Sequence, residues 1–409
     1  MKAFFEVKTI DNVLDMVELF PKTETESSSI EESLNRVLAE DIYSDINIPD
    51  FSRSTMDGYA IRASSSFGSS ESNPAYLDIK GKVKMGEFPN FCIASGEAAE
   101  ISTGGAIPDG SDSVIMIEHT NMIDDKSIEI YKSLAPGINV IQKGEDVKKF
   151  DITLVTGTKI RPQEMGLIAA SGKKHIKVFK KPTVSIISTG NEIIPPKNTP
   201  QKGQIRDMNT YTLLGQVLKS GGIPRSYGII PDNFESLKKV YSRAMEKSDI
   251  IIISGGSSMG VKDMTIDVFK SIKNTEILTH GISISPGKPT ILAKCGKKQI
   301  WGLPGHVASA MIVFKILVQS FLENMGGMLR HNRVVPTIKA TLSRNLASSQ
   351  GRVDYIRVKL VRKGKVLFAE PIIGKSGLIS TMTKSDGLVK IGINKEGLYK
   401  GLCVSVILF

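Results

Sequence analysis

The fold is decided by the stretch Ile250-Ile251-Ile252-Ile253-Ser254-Gly255-Gly256-Ser257-Ser258-Met259-Gly260-Val261-Lys262-Asp263. Four consecutive isoleucines predict a strand that is buried on both faces of a parallel sheet. Such sheets bind ligands beyond the carboxyl ends of their strands, which is where the glycine-rich loop begins. The amides of Gly255 and Gly256 could approach an anion there, and Asp263 could hold a divalent cation or orient a donor. A purely structural turn is the alternative reading of the glycines.

Two further segments repeat this strand-then-loop pattern. Residues 182–194 run into Ser188-Thr189-Gly190-Asn191-Glu192, and residues 299–324 run through Gly302-Leu303-Pro304-Gly305 into an apolar helical stretch. Residues 210–219 and 234–246 have helical spacing of apolar residues. The order predicts a doubly wound, three-layer α/β/α domain over residues 182–329. Neither GxxxxGK[ST] nor a GxGxxG that opens a helix is present, which argues against nucleoside triphosphate and dinucleotide sites.

Length and composition limit the remaining classes of protein. A chain of 409 residues exceeds one hydrophobic core, so several domains are expected. The longest apolar run, 307–318, is interrupted by Lys315 and is too short for a membrane span. The acids among the first 18 residues argue against a signal peptide, and the three cysteines are too scattered for a disulfide framework or zinc site. We expect a cytoplasmic protein that does not bind membranes.

The charge is unevenly distributed. The net charge is +11, yet acidic residues outnumber basic ones in residues 1–181, and basic residues predominate in residues 182–409. The basic half could attract an anionic ligand while the acidic half supplies carboxylates for a metal or a partner; an ordinary solvated surface is the alternative. Aromatic residues make up only 6% and no nucleic-acid reading motif is present, so nucleic acid is not expected as a partner.

The rest of the chain predicts three more domains around the α/β domain. Residues 7–46 are predicted to be helical, with one apolar face from Ile10 to Phe20 and another formed by Ile30, Leu34, Val37 and Leu38. Short β-type runs at 59–61, 76–79 and 114–117 predict an inserted small β domain over 47–143. A helical segment at 162–171 would return to the first helices, so residues 1–46 and 144–181 form one elongated helical or mixed domain. Strands at 353–361, 365–370 and 404–408 predict a β-barrel-like domain over 330–409.

Several motifs occur in one order along the whole chain. They are Asp50-Phe51-Ser52-Arg53-Ser54-Thr55-Met56-Asp57-Gly58-Tyr59-Ala60-Ile61, Ser102-Thr103-Gly104-Gly105, Gly144-Glu145-Asp146, Ser188-Thr189-Gly190-Asn191-Glu192, Ser254-Gly255-Gly256, Pro286-Gly287-Lys288-Pro289 and Gly302-Leu303-Pro304-Gly305. In this combination the chain resembles the molybdopterin molybdenumtransferase family, which includes the corresponding domain of gephyrin.

The resemblance implies an activity and a set of partners. Family members bind adenylylated molybdopterin, hydrolyse it with release of AMP, and place molybdate on the dithiolene sulfurs with the help of Mg²⁺. The resemblance also implies an elongated homodimer, with each active site between the α/β domain of one subunit and the inserted domain of the other. A molybdopterin adenylyltransferase would act upstream, and molybdoenzyme apoproteins or their chaperones would receive the product.

The matching motifs carry the family's functional positions onto this chain. The resemblance implies catalytic roles for Asp57, Thr103, Asp146, Glu192, Asp232 and Asp263, with Glu192 and Asp263 as Mg²⁺ ligands. It implies substrate or oxyanion contacts for Gly255, Gly256, Ser257, Lys288, Pro304, Ser309, Arg357 and Ser376. Asp232 has an alternative role as the cap of the following helix. Lys288 is harder to explain structurally, because a Pro-Gly-Lys-Pro turn does not require a cation.

The chain also departs from the family pattern. His306 and Val307 stand where many members have asparagine and a second proline, and Gly281 and Ser285 stand where some members carry cations. With these changes, the oxyanion substrate could be tungstate in place of molybdate. They also leave open a carrier that binds cofactor without efficient turnover. A scaffold role like that of gephyrin is a third hypothesis.

Overall fold

The computed structural model describes residues 7–255 and 259–409, with the backbone alone at 259–263. The α/β domain is built on a six-stranded sheet. Its strand order is Ile223–Ile230, Thr183–Thr189, Ile250–Gly255, Lys298–Leu303, Ile291–Cys295 and Thr275–His280. The first four strands are parallel, whereas Ile291–Cys295 runs antiparallel to both of its neighbours, Lys298–Leu303 and Thr275–His280. The sheet is therefore mixed, and the predicted parallel arrangement holds for its centre.

Helices cover both faces of this sheet and make the three layers. The helices are Asn209–Lys219, Phe234–Lys247, Met259–Lys270, and the segment Val307–Val313, Phe314–Val318 and Gln319–Met325, whose middle part is a π-helical turn. Ile250 and Ile252 enter the core with Trp301, whereas Ile251 and Ile253 enter the opposite core with Tyr241. Each buried isoleucine contributes roughly 1.5–3 kcal/mol. The isoleucine run therefore joins the two cores, as expected of a central strand.

One helix in the described part of the chain, Val307–Met325, is long and apolar enough to cross a membrane by length and composition. In its most apolar window, 72% of the residues are buried inside the protein. Trp301 packs edge-on against Phe321 of this helix, with ring centroids 5.0 Å apart. The helix thus serves as a core element of the α/β domain.

The N-terminal segment is less helical than its sequence pattern predicts. A helix forms at Ile10–Asp15 and a 3₁₀ turn at Met16–Leu19, and their apolar face packs on the α/β core. The second predicted helix is wrong: Thr25–Ser29 is a strand paired antiparallel with His175–Phe179. Leu34 is 45% exposed, and Asn35 has a left-handed φ of 63° that a helix does not tolerate. Pairing with a strand about 150 residues away satisfies the backbone where local spacing suggested a helix.

The returning segment completes this N-terminal domain. Helix Pro162–Ala170 begins with proline and is held by the Arg161–Glu164 pair. Ile168 of the helix packs with Leu38, Ile176 and Val178 in a separate core. The short pair Ile42–Tyr43 and Ile152–Leu154 extends it.

The inserted β domain is a six-stranded sheet. Its order is Ser113–Met116, Gly58–Ile61, Glu97–Ile101, Ala75–Lys82, Ser127–Ile130 and Thr120–Asp124. Apolar residues lie on both of its faces, so Tyr59 and Ile61 enter one core and Ala60 the other. A short pair, Arg53–Ser54 with Val140–Ile141, lies next to it.

The C-terminal domain is a closed barrel. The strands follow the order Val353–Lys363, Val366–Pro371, Thr337–Leu342, Cys403–Leu408 and Gly387–Ile391, and the last pairs again with the first. Ile284–Ser285, from the α/β domain, adds in parallel to the start of Val353–Lys363. Because of this pairing, the loop that follows Ser285 lies against the barrel.

Candidate active site

Three neighbouring strands of the α/β sheet end side by side. Thr189 is paired with both Ile230 and Gly255 at their carboxyl ends. Gly255 has a φ of +141°, and a Cβ at this position would lie 1.9 Å from the carbonyl oxygen of Thr189. Only glycine allows so close an approach of two backbones. Gly255 therefore brings the start of the glycine-rich loop next to the Ser-Thr-Gly segment.

Asp232 is fixed at this edge of the sheet. The hydroxyl of Thr189 donates to Asp232 Oδ1 at 2.6 Å, and the backbone N–H of Asp232 donates to Asn191 Oδ1 at 3.1 Å. The helix that follows is capped by Asn233, whose side chain accepts from the N–H of Ser236 at 2.8 Å. The capping role considered for Asp232 is therefore wrong. Its carboxylate instead belongs to the polar group at the strand ends.

The other predicted acids of this edge are only partly described. Glu192 is exposed in the same loop as Asn191, and its carbonyl accepts from the N–H of Ile205 at 2.9 Å. Asp263 lies on helix Met259–Lys270, but its side chain is outside the described part, as are Gly256 and Ser257. Among the described residues, no three His, Cys, Asp or Glu side chains form a group able to hold a metal ion.

Asn209 connects two of the loops and was missed by the sequence analysis. It is 7% exposed, and its Nδ2 donates to Ser254 Oγ at 2.7 Å and to the carbonyl of Gly305 at 2.8 Å. One amide thus ties the end of the central strand to the Leu-Pro-Gly loop. Its position at the start of a helix suggests only a capping role from sequence.

Asp207 is a second residue of this kind. It is 7% exposed, and its Oδ1 accepts from Ser188 Oγ at 3.2 Å and from the N–H of Thr210 at 3.1 Å. Both donors are neutral. These bonds join the segment before helix Asn209–Lys219 to the strand Thr183–Thr189. The sequence does not predict these contacts of Asp207, since the residue lies outside every motif that indicates the family.

A second group of predicted residues lines a cleft of about 710 Å³ between the α/β domain and the barrel. The predicted residues that meet there are Lys288, Pro304, Ser309 and Ser376. They come from two loops and a helix of the α/β domain and from one loop of the barrel. His306 and Arg352 line the same cleft. The tertiary structure therefore gathers four of the eight predicted binding residues.

The shape of the Pro-Gly-Lys-Pro turn explains how Lys288 reaches this cleft. Gly287 has a φ of +122°, and a Cβ there would lie 2.3 Å from Val313 Cγ2. The turn can therefore pack on the helix only with glycine at this position. Lys288 follows and is exposed, and within the described part of the chain it has no ion-pair partner. Its charge is available to an anion in the cleft.

Arg357 is not among the residues that line this cleft. It is 9% exposed and donates to Thr381 Oγ1 and to the carbonyl of Gly374, both at 2.6 Å. Burial lowers the pKa of its guanidinium. Its donors thus hold the ends of the loop that carries Ser376. The cleft is reached instead by Arg352, five residues earlier in the same motif, which is paired with Asp354 at 3.1 Å.

The inserted domain contributes a third group. Asp57 Oδ1 accepts from the N–H of Thr103 at 2.7 Å and from its hydroxyl at 3.1 Å. These two bonds, the backbone one first, lower the pKa of the exposed Asp57 carboxyl. Asp146 is exposed, and its N–H donates to the carbonyl of Ile48 at 3.1 Å. The contacts found in the described residues join neither Asp57 nor Thr103 to the α/β domain of the same chain.

Comparisons with known proteins agree with this architecture. Residues 7–172 match the family model described as "MoeA N-terminal region (domain I and II)", and residues 339–409 match "MoeA C-terminal region (domain IV)". Residues 185–324 match "Probable molybdopterin binding domain". A Methanocaldococcus jannaschii protein named for molybdopterin biosynthesis is 36% identical over 388 residues, covering 93% of this chain and 91% of that protein. The chain belongs to the MoeA family.

Two further members of the MoeA family span nearly the whole chain. The molybdopterin molybdenumtransferase of Haemophilus influenzae is 32% identical over 394 residues, covering 96% of each protein. The crystal structure of the molybdopterin biosynthesis MoeA protein from Pyrococcus horikoshii OT3 has a TM-score of 0.85 and 31% identity, covering 99% of this chain and 100% of that one. The chain is therefore similar to these proteins in all its domains.

Proposed function

We propose that this chain is a molybdopterin molybdenumtransferase that hydrolyses adenylylated molybdopterin, releases AMP and inserts molybdate into the dithiolene. The observation that carries the proposal is the cleft beside Lys288 in a chain of the MoeA family. Molybdate is a tetrahedral dianion and requires charged and hydroxyl donors, which Lys288, Arg352, Ser309 and Ser376 supply. This cleft is the proposed oxyanion site.

The polar edge of the sheet would handle the phosphate end of the substrate. Thr189 and Asp232 lie beside Gly255, whose loop could approach an anion. Mg²⁺ prefers carboxylate oxygens and commonly binds one or two of them together with substrate phosphates. The exposed carboxylate of Glu192 suits such a site, and Asp263 is the second proposed ligand. When bound, the ion would stabilise the charge that develops as the phosphoanhydride breaks.

We also propose that the active site is shared between two copies of the chain. The Asp57–Thr103 pair is exposed and has no described contact with the α/β domain of its own chain. The inserted domain lies in the acidic part of the chain and the α/β domain in the basic part. Opposite charges favour a close approach between the two domains across a dimer interface. Asp57, Thr103 and Asp146 would then complete the partner's site.

The direct test is to incubate the protein with adenylylated molybdopterin, Mg²⁺ and either molybdate or tungstate. AMP release and metal bound to the pterin are measured together. Oxyanion-stimulated AMP release with retained metal is expected, and the more effective oxyanion identifies the preferred metal. Stoichiometric binding without any AMP release would overturn the enzymatic proposal.

Binding without AMP release would favour the second candidate function, a carrier of the cofactor. The changed loop at His306 is the observation that favours this candidate. His306 contacts Ser376 in the oxyanion cleft, so the departure from the family pattern lies within the site itself. Either function fits a cytoplasmic protein that receives its substrate from an adenylyltransferase. The product would pass to molybdoenzyme apoproteins or their chaperones.

A further inference from the structure

We propose that His306 is a positioning residue that makes oxyanion binding in the cleft depend on a proton. Its Nδ1 lies 2.8 Å from the hydroxyl oxygen of Ser376, and both residues line the cleft. The inference rests on the proposed function, because it assumes that this cleft binds the oxyanion.

The two residues are held together across the junction of two domains. The N–H of Ala308 donates to the carbonyl of Ser376 at 3.0 Å, so the barrel's loop is fastened to the first turn of the helix that follows His306. Arg357 holds the same loop through Gly374 and Thr381. The backbone of Ser376 is therefore held beside His306. What can change is the direction of the hydrogen bond between them.

That direction depends on the tautomer and on the charge of the imidazole. In the neutral ring that carries its proton on Nε2, Nδ1 has a lone pair, so the Ser376 hydroxyl donates to it and offers no proton to a ligand. When the imidazole is protonated, both nitrogens are donors, so Nδ1–H donates to Ser376 Oγ. The hydroxyl of Ser376 is then free to donate into the cleft. Relative to that neutral tautomer, one proton gives an anion both a hydroxyl donor and a nearby positive charge.

The ionisable groups around His306 are consistent with this role. Lys288 and Arg352 line the cleft with it, and Arg352 is paired with Asp354 at 3.1 Å. Lys375 precedes Ser376 on the barrel's loop, and the first helical residues after His306 are uncharged. A bound dianion attracts a positive charge on the imidazole, so anion binding and protonation should favour each other.

The test measures binding of molybdate and of tungstate alone to the full chain, by equilibrium dialysis between about pH 6 and 8, where imidazoles ordinarily titrate. The unmodified protein should bind more weakly as the pH rises, by roughly tenfold, the effect of losing one charge-assisted hydrogen bond. His306→Asn can still contact Ser376 but does not titrate, so its affinity should be nearly independent of pH. His331→Asn, in the exposed segment before the barrel, is the matched control and should behave like the unmodified protein.

Because the ligand is the same in every sample, titration of the oxyanion itself appears equally in the His306→Asn data. Equal pH dependence in the unmodified protein and in His306→Asn would overturn the inference while leaving the oxyanion site intact. Absence of oxyanion binding at every pH would instead remove the proposed site, and the inference with it. Ser376→Ala provides a second check, because it should weaken binding at about pH 6 and reduce the pH dependence.

Discussion

Arg357 gives the sharpest test of the structure, because the family resemblance and the geometry assign it different roles. The resemblance predicts direct contact with the oxyanion. In the structure its guanidinium is 9% exposed and donates to Thr381 Oγ1 and Gly374 O, both at 2.6 Å. Arg357→Met keeps a side chain of similar length but removes both donors. Thr381 retains one bond, because its hydroxyl still donates to Leu378 O at 2.6 Å.

The expected cost follows from these two bonds. A hydrogen bond from a charged donor contributes about 1.5–3 kcal/mol, which gives a gross loss of about 3–6 kcal/mol for two. Methionine avoids the cost of burying a guanidinium, and that cost offsets part of the loss. We expect a net destabilisation of about 2–4 kcal/mol in the segment that carries Ser376, or roughly a 30- to 1,000-fold increase in its local opening.

Hydrogen–deuterium exchange of peptides from residues 372–383 measures this opening, and oxyanion binding is measured on the same samples. Faster exchange together with weaker binding is the expected result, and Arg352→Met is the control. Arg352 is about half exposed, so its replacement should weaken binding with little effect on exchange. If Arg357→Met abolished binding while exchange in residues 372–383 stayed unchanged, Arg357 would contact the anion directly and the positioning role would be wrong.

Three other predictions can be checked separately. Lys288→Met should weaken molybdate binding by roughly tenfold or more, because a charged contact with the anion is lost. The unfolding temperature should not change, because the side chain is exposed. Normal molybdate binding by the variant would place the oxyanion elsewhere. Thr103→Val removes the hydroxyl bond to Asp57, so the pKa of the Asp57 carboxyl should rise towards its ordinary value in an NMR titration. Any stabilisation from the pair is present above the ordinary pKa of the carboxyl and is lost as the pH falls through the lowered pKa. This stabilisation should be smaller in the variant. Gly255→Ala should disturb the strand ends and abolish AMP release, because its Cβ would lie 1.9 Å from Thr189 O; wild-type turnover would contradict the close approach seen there.

Much of the α/β domain was predictable because its signals are local. The isoleucine run predicts a buried central strand. In the structure Ile250 and Ile252 enter one core, and Ile251 and Ile253 enter the other. The antiparallel pairings at one edge of the sheet were not predicted, since strand direction depends on connections and not on composition. The second N-terminal helix failed for a related reason: residues 25–29 pair with residues 175–179, and no local pattern records so distant a partner.

The sequence by itself determined the family, the α/β/α core and the residue types needed for an anionic substrate, because motifs and periodicity are properties of neighbouring residues. Only the tertiary structure decided which side chains meet. It brought Lys288, Ser309 and Ser376 to one cleft, placed Arg352 and not Arg357 in the lining of that cleft, and left the capping of the helix after Asp232 to Asn233. These outcomes depend on burial and on hydrogen bonds between segments far apart in the chain, which sequence spacing does not encode.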